Sequence, residues 1–176
     1  MPKSITELMK YALSGSDIVK ALHHETNIMT YKEILDTHNL VTLLGEYGSC
    51  VILYETKPGY GHWCCIFEVN PGLIEFFDAY GSMIDETIHH ATGELKKIYE
   101  SNSPKIIELL LRSTYDKIEY NNYPIQKHAK GINTCGRHVV VRLLNRRLPL
   151  DFYYHMLQLS GDDYDVTVTK LTDDIG

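Results

Sequence analysis

Cys135 stands where a polar, glycine-containing loop runs into an amphipathic segment. Behind it the apolar residues fall at helical spacing, at Val139, Val140, Leu143 and Leu144, so a helix is predicted to begin at this cysteine. A helix N-terminus has unpaired amide N–H groups and the positive end of the helix dipole, and both lower the pKa of a thiol placed there. The same pattern is also typical of a small buried cysteine ahead of a helix.

Two short turns predict which base could reach that thiol. His62 opens one β-rich run and Asp78 closes the next, with the turn at residues 70–72 between the two runs. In so short a hairpin the start of one strand lies beside the end of the next, so His62 and Asp78 are predicted neighbours. An imidazole can take the thiol proton while a carboxylate orients it. Gln126, upstream of Cys135, would supply an amide N–H to an oxyanion.

Other residues could compete for these roles. His128 lies on the same loop as a rival base, with a short tether to the cysteine and no carboxylate placed beside it. His138 is predicted to lie on a helix face, on the same side as Arg142. Cys64 and Cys65 are adjacent in a predicted strand and point to opposite faces, which favours core positions. The four cysteines indicate neither a zinc site nor a disulfide framework, so no metal and a reducing compartment are predicted.

The elements that must position these residues change in character along the chain. Ser4 and Thr30 each begin a capping-box pattern, which predicts short helices near the N-terminus. Runs closed by Pro and Gly turns predict three strands in an antiparallel meander. We predict an α+β fold, with a small mixed sheet packed on the helix that begins at Cys135 and further helices flanking it. The predicted helices cover residues 4–13, 17–22, 31–38, 83–101, 104–111 and 150–159, and the predicted strands cover 49–54, 62–69, 73–77, 117–121 and 166–168.

Composition supports one packed domain over residues 1–176. A chain of this length fits the roughly 100–200 residues of a single domain, and 44% hydrophobic against 23% charged residues is not the composition of a disordered chain. Within it we distinguish a helical N-terminal part (1–45), a catalytic core (49–147) and a C-terminal helix and tail (148–176). No apolar run approaches the ~20 residues of a membrane span, and no signal-peptide core is found.

The charge balance bears on possible partners. Seventeen basic against 23 acidic residues give a net charge of −6, which argues against a broad nucleic-acid footprint. Small basic patches could still form at Arg142, Arg146 and Arg147 and at residues 96–97.

Taken in order, these residues resemble the clan CE cysteine proteases, the group that contains adenovirus-type and ubiquitin-like-protein-specific enzymes. The resemblance runs from about Ser49 to Arg147 and implies the fold predicted above. It rests on Gly61-His62-Trp63, Phe77-Asp78, Pro124-Ile125-Gln126 and Thr134-Cys135-Gly136. It implies these roles: His62 as base, Asp78 as its orienting partner, Gln126 as oxyanion donor, Cys135 as nucleophile, and Gly61 and Trp63 in substrate binding. A narrow tunnel near Trp63 would select small residues, typically glycine, before the scissile bond.

Some features depart from that pattern. The loop from Gln126 to Cys135 spans nine positions, which is longer than expected. Asn133 and Thr134 stand where the family often has an acidic residue just before the cysteine. Two other protease groups fit less well. In viral chymotrypsin-like enzymes the cysteine leads into β structure. Papain-like enzymes would need Cys50 or Cys64 at the start of a helical pattern, and neither begins one.

The resemblance leaves three functions open. The favoured one is an endopeptidase that cleaves after Gly-Gly or Gly-X and processes capsid or other structural precursors of a double-stranded DNA virus or virophage, in the virion and the infected cell. The alternative is a deubiquitinase or SUMO isopeptidase of a cell or bacterial effector, although no long surface insertion is found to hold such a partner. The third is a binding module of the same fold. We expect a monomer that takes a protein or peptide substrate, with no membrane partner and no cofactor. Activation by a peptide or by DNA stays open.

Overall fold

A five-stranded mixed sheet forms the centre of the α+β fold in the computed structural model, which describes residues 3–176. Strand order follows chain order. The strands are β1 (Asn27–Thr30), β2 (Ser49–Lys57), β3 (Tyr60–Asn70), β4 (Leu73–Phe77) and β5 (Lys117–Tyr120). The central three form the predicted antiparallel meander, while β1 and β5 pair in parallel with β2 and β4.

Helices cover both faces of this sheet. They are α1 (Ile5–Lys10), α2 (Gly15–Ala21), α3 (Tyr31–Ile34), α4 (Leu40–Leu44), α5 (Gly93–Glu100), α6 (Lys105–Leu111), α7 (Cys135–Leu144), α8 (Leu150–Gln158) and α9 (Tyr164–Lys170), with a 3₁₀ helix at Glu86–His90. None of those within residues 3–176 has both the length and the apolar character that a membrane crossing requires. The predicted α+β class is confirmed.

The predicted capping boxes form as expected. Ser4 accepts a hydrogen bond from the N–H of Glu7, whose carboxylate accepts one from the N–H of Ser4. Thr30 and Glu33 make the same pair at α3. Side-chain caps of this kind contribute roughly 1 kcal/mol each, which helps to explain why such short helices begin where the sequence indicates.

Three expectations about elements are wrong. The strand expected at 166–168 is part of α9, because Asp163 caps that helix by accepting from the N–H of Val166 at 3.0 Å. The helix expected over 31–38 ends at Ile34, and a new helix, α4, begins after a cap at Asn39. Likewise, the single helix expected over 83–101 is a 3₁₀ helix followed by α5. Strand β1 was not expected, because its partner lies more than 20 residues away and no turn joins the two.

Strand alternation sends β3 into two separate cores. Cys64 and Ile66 belong to the core beneath α3 to α6, while Cys65 and Phe67 belong to the core beneath α2 and α7 to α9. Because both faces are covered, even the central residues of the meander are fully buried. Helix α7 packs against β3 on the second face, so its first residue lies at the sheet edge where His62 stands.

A buried ion pair fastens α7 to the sheet. Arg142 donates to both carboxylate oxygens of Glu75 on β4, at 2.8 and 2.9 Å, and its guanidinium lies 4.7 Å from the Tyr153 ring centroid. Arg142 has no exposed surface, so its expected contribution to a basic patch is wrong. His138 lies on the same side of α7 and is also fully buried. This face of the helix, on which both residues were expected, therefore points into the core.

Candidate active site

His62 and Asp78 lie diagonally across two neighbouring strands. Phe77, the last residue of β4, pairs with Cys65 of β3. The next residue, Asp78, therefore lies opposite Cys64 and diagonal to His62 on the same face. A 2.7 Å hydrogen bond joins His62 Nε2 to Asp78 Oδ1, and both side chains are buried. The predicted contact between these two residues is confirmed.

The surroundings of the pair favour its charged form. Burial by itself raises the pKa of Asp78, but the His62 charge and hydrogen bond and the Tyr80 N–H, 2.8 Å from Oδ1, outweigh burial and lower it. Burial by itself lowers the pKa of His62, but the charge and hydrogen bond of the Asp78 carboxylate and the side chain of Cys135 act against burial and raise that pKa. The carboxylate therefore favours the protonated form of the His62 imidazole.

Cys135 is the first residue of α7 and is partly exposed, whereas Cys50, Cys64 and Cys65 are buried. Burial by itself would raise its pKa. The hydrogen bond and charge of His62, with the backbone N–H groups of the residues at 63 and 136, outweigh burial and lower it. Because Nε2 of His62 is bonded to the carboxylate, Nδ1 is the ring nitrogen left for the thiol. The geometry thus favours a thiolate–imidazolium pair.

Gln126 reaches the same place from the segment that precedes the cysteine, here called the cysteine loop (residues 126–134). Its N–H donates to the Ala79 carbonyl at 3.0 Å, just beyond Asp78. The side chain is 4% exposed, and its Oε1 has no hydrogen-bond partner among residues 3–176. An amide that is held only through its backbone can direct its N–H toward an oxygen in the cavity beside Cys135.

A cavity of about 260 Å³ joins these groups. It is lined by Thr56, Tyr60, Gly61, His62, Tyr80, Ser82, Thr87, His90, Gln126, His128, Ile132, Asn133 and Cys135. Two larger cavities, of about 350 and 460 Å³, lie elsewhere and, within residues 3–176, are lined by no cysteine. The smaller cavity is the candidate site because a thiol, an imidazole and an amide converge there and, among these three cavities, only there.

The two residues expected to bind substrate lie in different places. Gly61 lines the cavity, but it is also required by the sheet, since a Cβ there would lie 2.0 Å from the Tyr54 carbonyl oxygen. Trp63 is not among the lining residues. Its indole is buried in the second core and donates to the Leu13 carbonyl at 3.0 Å. Trp63 therefore supports the wall behind Cys135 through packing.

His128 lies in a stack of three rings. The Tyr80 ring stacks on His62 with centroids 4.5 Å apart, and His128 stacks on the other face of Tyr80 at 3.6 Å. The Tyr80 ring therefore separates the rival base, His128, from the His62 imidazole. His128 is exposed at the rim of the cavity, where it is available to a bound ligand.

Cys64 adds a third potential metal ligand beside the pair. Its sulfur, a ring nitrogen of His62 and a carboxylate oxygen of Asp78 lie within 4.8 Å of one another. Burial raises the pKa of Cys64 to about 12, so the group is a neutral thiol at physiological pH and a poor ligand. A soft cation could bind there only by displacing the thiol proton and the hydrogen bond between His62 and Asp78.

Several supporting residues were missed by sequence reasoning. Asn121 is fully buried and donates from Nδ2 to the Asp78 carbonyl at 2.6 Å, and Tyr154 donates to its side-chain oxygen. Asp165, on α9, binds both ends of the cysteine loop. These contacts join residues more than 30 positions apart, and no local pattern marks them in the sequence.

Comparison with known proteins gives one informative relationship. No model of a known protein family matches the chain. The chain is 36% identical over 169 residues to "Uncharacterized protein V9" of Sputnik virophage, and the alignment covers 96% of each protein. Because the similarity spans nearly the whole of both proteins, this chain belongs to the same family as virophage protein V9.

Proposed function

We propose that the protein is a cysteine peptidase in which Cys135 is the nucleophile. The observation that carries the proposal is the 2.7 Å hydrogen bond between His62 and Asp78 beside the cavity that His62 and Cys135 both line, where His62 lowers the pKa of the Cys135 thiol. A buried structural cysteine would not be expected to have a lowered pKa, partial exposure and an ion-paired base at once. The order of these residues along the chain also resembles that of the clan CE enzymes.

In the proposed reaction the Cys135 thiolate attacks the carbonyl carbon of the scissile peptide bond. A C–S bond forms and the carbonyl π electrons move to oxygen, which accepts hydrogen bonds from the Cys135 N–H and the Gln126 amide. When the C–N bond breaks, the His62 imidazolium gives its proton to the leaving amine. Water then attacks the thioester, His62 takes its proton, and the acid product leaves as Cys135 is restored.

Asp78 stabilises the imidazolium through this cycle without leaving its place. Its carboxylate accepts from His62 and from the N–H of Tyr80, and its carbonyl accepts from Asn121. An aspartate held at three points, two at one carboxylate oxygen and one at its backbone carbonyl, keeps the imidazole in one orientation and one tautomer. That arrangement supports repeated proton transfer at Nδ1.

The small cavity supports substrates with small side chains next to the cleaved bond. Gly61, which has no side chain to fill the space, lines the cavity together with Cys135, and the stacked rings of Tyr80 and His128 line it as well. Peptides with Gly-Gly or Gly-X at the cleavage position are therefore the proposed substrates. Because the relative is a virophage protein, we place these substrates among viral structural precursors and the activity in a viral or infected-cell setting.

The first experiment combines labelling with cleavage. Purified protein is treated with iodoacetamide at neutral pH, its adducts are located by mass spectrometry, and cleavage of fluorogenic Gly-Gly and Gly-X peptides is followed. We expect one fast adduct, on Cys135, and cleavage that is lost in Cys135→Ala. The matched control Cys50→Ala removes an equally small side chain from the opposite core and should retain cleavage.

Two outcomes would change the proposal. Preferential labelling of Cys50, Cys64 or Cys65 would remove the assignment of Cys135. Reaction with a ubiquitin or SUMO probe, together with indifference to virion structural precursors, would retain the chemistry but move the substrate to ubiquitin-like conjugates.

A further inference from the structure

One carboxylate on the C-terminal helix α9 binds both ends of the cysteine loop. Asp165 is 1% exposed. Its Oδ2 accepts from the Lys127 N–H at 3.0 Å, and its Oδ1 accepts from Thr134 Oγ1 at 2.5 Å and from His138 Nε2 at 3.0 Å. Burial lowers the pKa of His138, so His138 serves here as a neutral donor.

The positions of those donors give Asp165 its significance. Lys127 directly follows Gln126, and Thr134 directly precedes Cys135. Between them the cysteine loop has no regular structure and is exposed over residues 127–130. A loop of this kind does not hold its two ends in a fixed geometry by itself, because ordering each residue costs backbone conformational entropy. The Asp165 carboxylate supplies a common anchor.

The two ends do not depend equally on that anchor. Cys135 is also held by α7, whose Gly136 packs closely against Leu13 and Ile18. The Gln126 side chain has no partner for its Oε1 among residues 3–176, so its aim depends on backbone contacts on either side. Those contacts are its own bond to the Ala79 carbonyl and the bond from the next residue to Asp165.

We propose that Asp165 is a positioning residue that aims the Gln126 amide at the oxyanion beside Cys135. This inference rests on the proposed peptidase function. It makes α9 part of the catalytic machinery, although α9 lies beyond the segment that resembles known proteases. The His62–Asp78 pair belongs to the sheet and receives no hydrogen bond from Asp165, so formation of the thiolate should not depend on it.

The test is a double-mutant cycle with Asp165→Asn and Gln126→Ala. In Asp165→Asn one acceptor oxygen becomes an N–H₂ donor that faces another donor, so one end of the loop is released. We expect kcat to fall about 10²-fold, as for a reactive group displaced by about 1 Å, while KM and the rate of Cys135 alkylation stay close to wild type. Because both changes act on one amide, the double variant should be no slower than Gln126→Ala alone.

Asp163→Asn is the matched control. Asp163 lies on the same turn and pairs with the exposed Lys127 side chain at 2.8 Å, while its helix-capping role is retained by asparagine. It should leave kcat unchanged. Hydrogen exchange of the backbone amides in residues 126–135 is followed in parallel, and in Asp165→Asn it should accelerate at the end of the loop that is released but not in β3 or β4.

Each outcome decides between a positioning role and a structural one. The proposal would be overturned if the losses of kcat in Asp165→Asn and Gln126→Ala multiplied in the double variant. It would also be overturned if the alkylation rate of Cys135 fell as much as kcat in Asp165→Asn, because that would indicate general structural damage. Wild-type kcat in Asp165→Asn would overturn it as well. If the wild-type protein cleaves no peptide, the proposed function fails, and amide exchange still decides whether Asp165 holds the loop.

Discussion

Asp78 accepts a 2.7 Å hydrogen bond from His62 across the diagonal of a β-hairpin, so a feature of sheet register fixes the distance between acid and base. The backbone of Asp78 is held in turn by Asn121, which donates to its carbonyl at 2.6 Å. Neither group can turn away without breaking a buried contact. This rigidity is the basis of the first prediction.

Asp78→Asn should lower kcat/KM by roughly 10²–10⁴-fold, the range of a lost contribution to acid–base catalysis. The amide nearly keeps the shape of the carboxylate but cannot stabilise the imidazolium of His62, so the pKa of Cys135 should rise as well. Steady-state kinetics and the pH dependence of alkylation measure both effects. Unchanged kinetics in a folded variant would mean that Asp78 has no role in the reaction.

Gln126→Ala should lower kcat by roughly 10²–10³-fold, as expected for one lost oxyanion donor. Its thermal unfolding temperature should stay near that of wild type, since the change removes a buried oxygen that has no partner among residues 3–176. Alkylation of Cys135 should also persist, because thiolate formation does not involve this amide. A parallel loss of alkylation would show that Gln126 acts on the thiol instead.

Alkylation of Cys135 should remain fast well below the pH at which ordinary thiols react. The pKa of this thiol is lowered, whereas burial raises the pKa of both Cys50 and Cys64 to about 12. Rates of iodoacetamide labelling, measured from about pH 5 to about pH 9, compare the reactivity of Cys135 with that of Cys50 and Cys64. His62→Ala should slow labelling of Cys135 at acidic pH, and equal rates in both proteins would contradict the ion pair.

The same pair should contribute to stability over a defined pH window. The lowered pKa of Cys135 gives a stabilisation that is full above the unfolded pKa of a cysteine and is lost as pH falls through the folded value. The raised pKa of His62 gives one that is full below the unfolded pKa of a histidine and is lost as pH rises through the folded value. The thiolate–imidazolium pair therefore forms at pH values between the lowered pKa of Cys135 and the raised pKa of His62. Cys135→Ser should lose the stabilisation from this pair, which thermal unfolding scans across that pH range measure.

Glu75→Gln should destabilise the fold by roughly 3–5 kcal/mol, because it leaves the buried Arg142 guanidinium without its counter-charge. The matched control is Glu119→Gln, which removes a pair with the exposed Lys117 and should cost about 1 kcal/mol or less. Urea unfolding measures both. Similar values for the two variants would contradict the view that α7 is fastened to the sheet by charge.

Local signals in the sequence predicted much of the fold. Ser4 and Thr30 marked their helices because a capping box is complete within four residues. The Pro and Gly turns predicted the meander and, through it, the contact between His62 and Asp78. The start of α7 followed from apolar spacing after Cys135. In each case the information and the structure lie within one element or one hairpin.

Long-range contacts could not be predicted in this way. Strand β1 pairs with a partner strand that no turn connects to it. Helix α9 contains β-branched residues, which are typical of a strand, but the cap at Asp163 begins a helix there. The burial of Trp63 and the anchoring role of Asp165 depend on which helices cover the sheet. Propensity and periodicity carry no information about that choice.

The buried position of Trp63 also makes it an intrinsic fluorescence probe. It is the only tryptophan in the sequence, it directly follows His62, and a Cβ placed on Gly136 would lie 3.4 Å from its indole. Its N–H is bonded to Leu13, in the segment between α1 and α2. The tryptophan emission of the protein therefore originates at the junction where the N-terminal helices meet the start of α7, and a structural change at that junction should shift the wavelength of that emission.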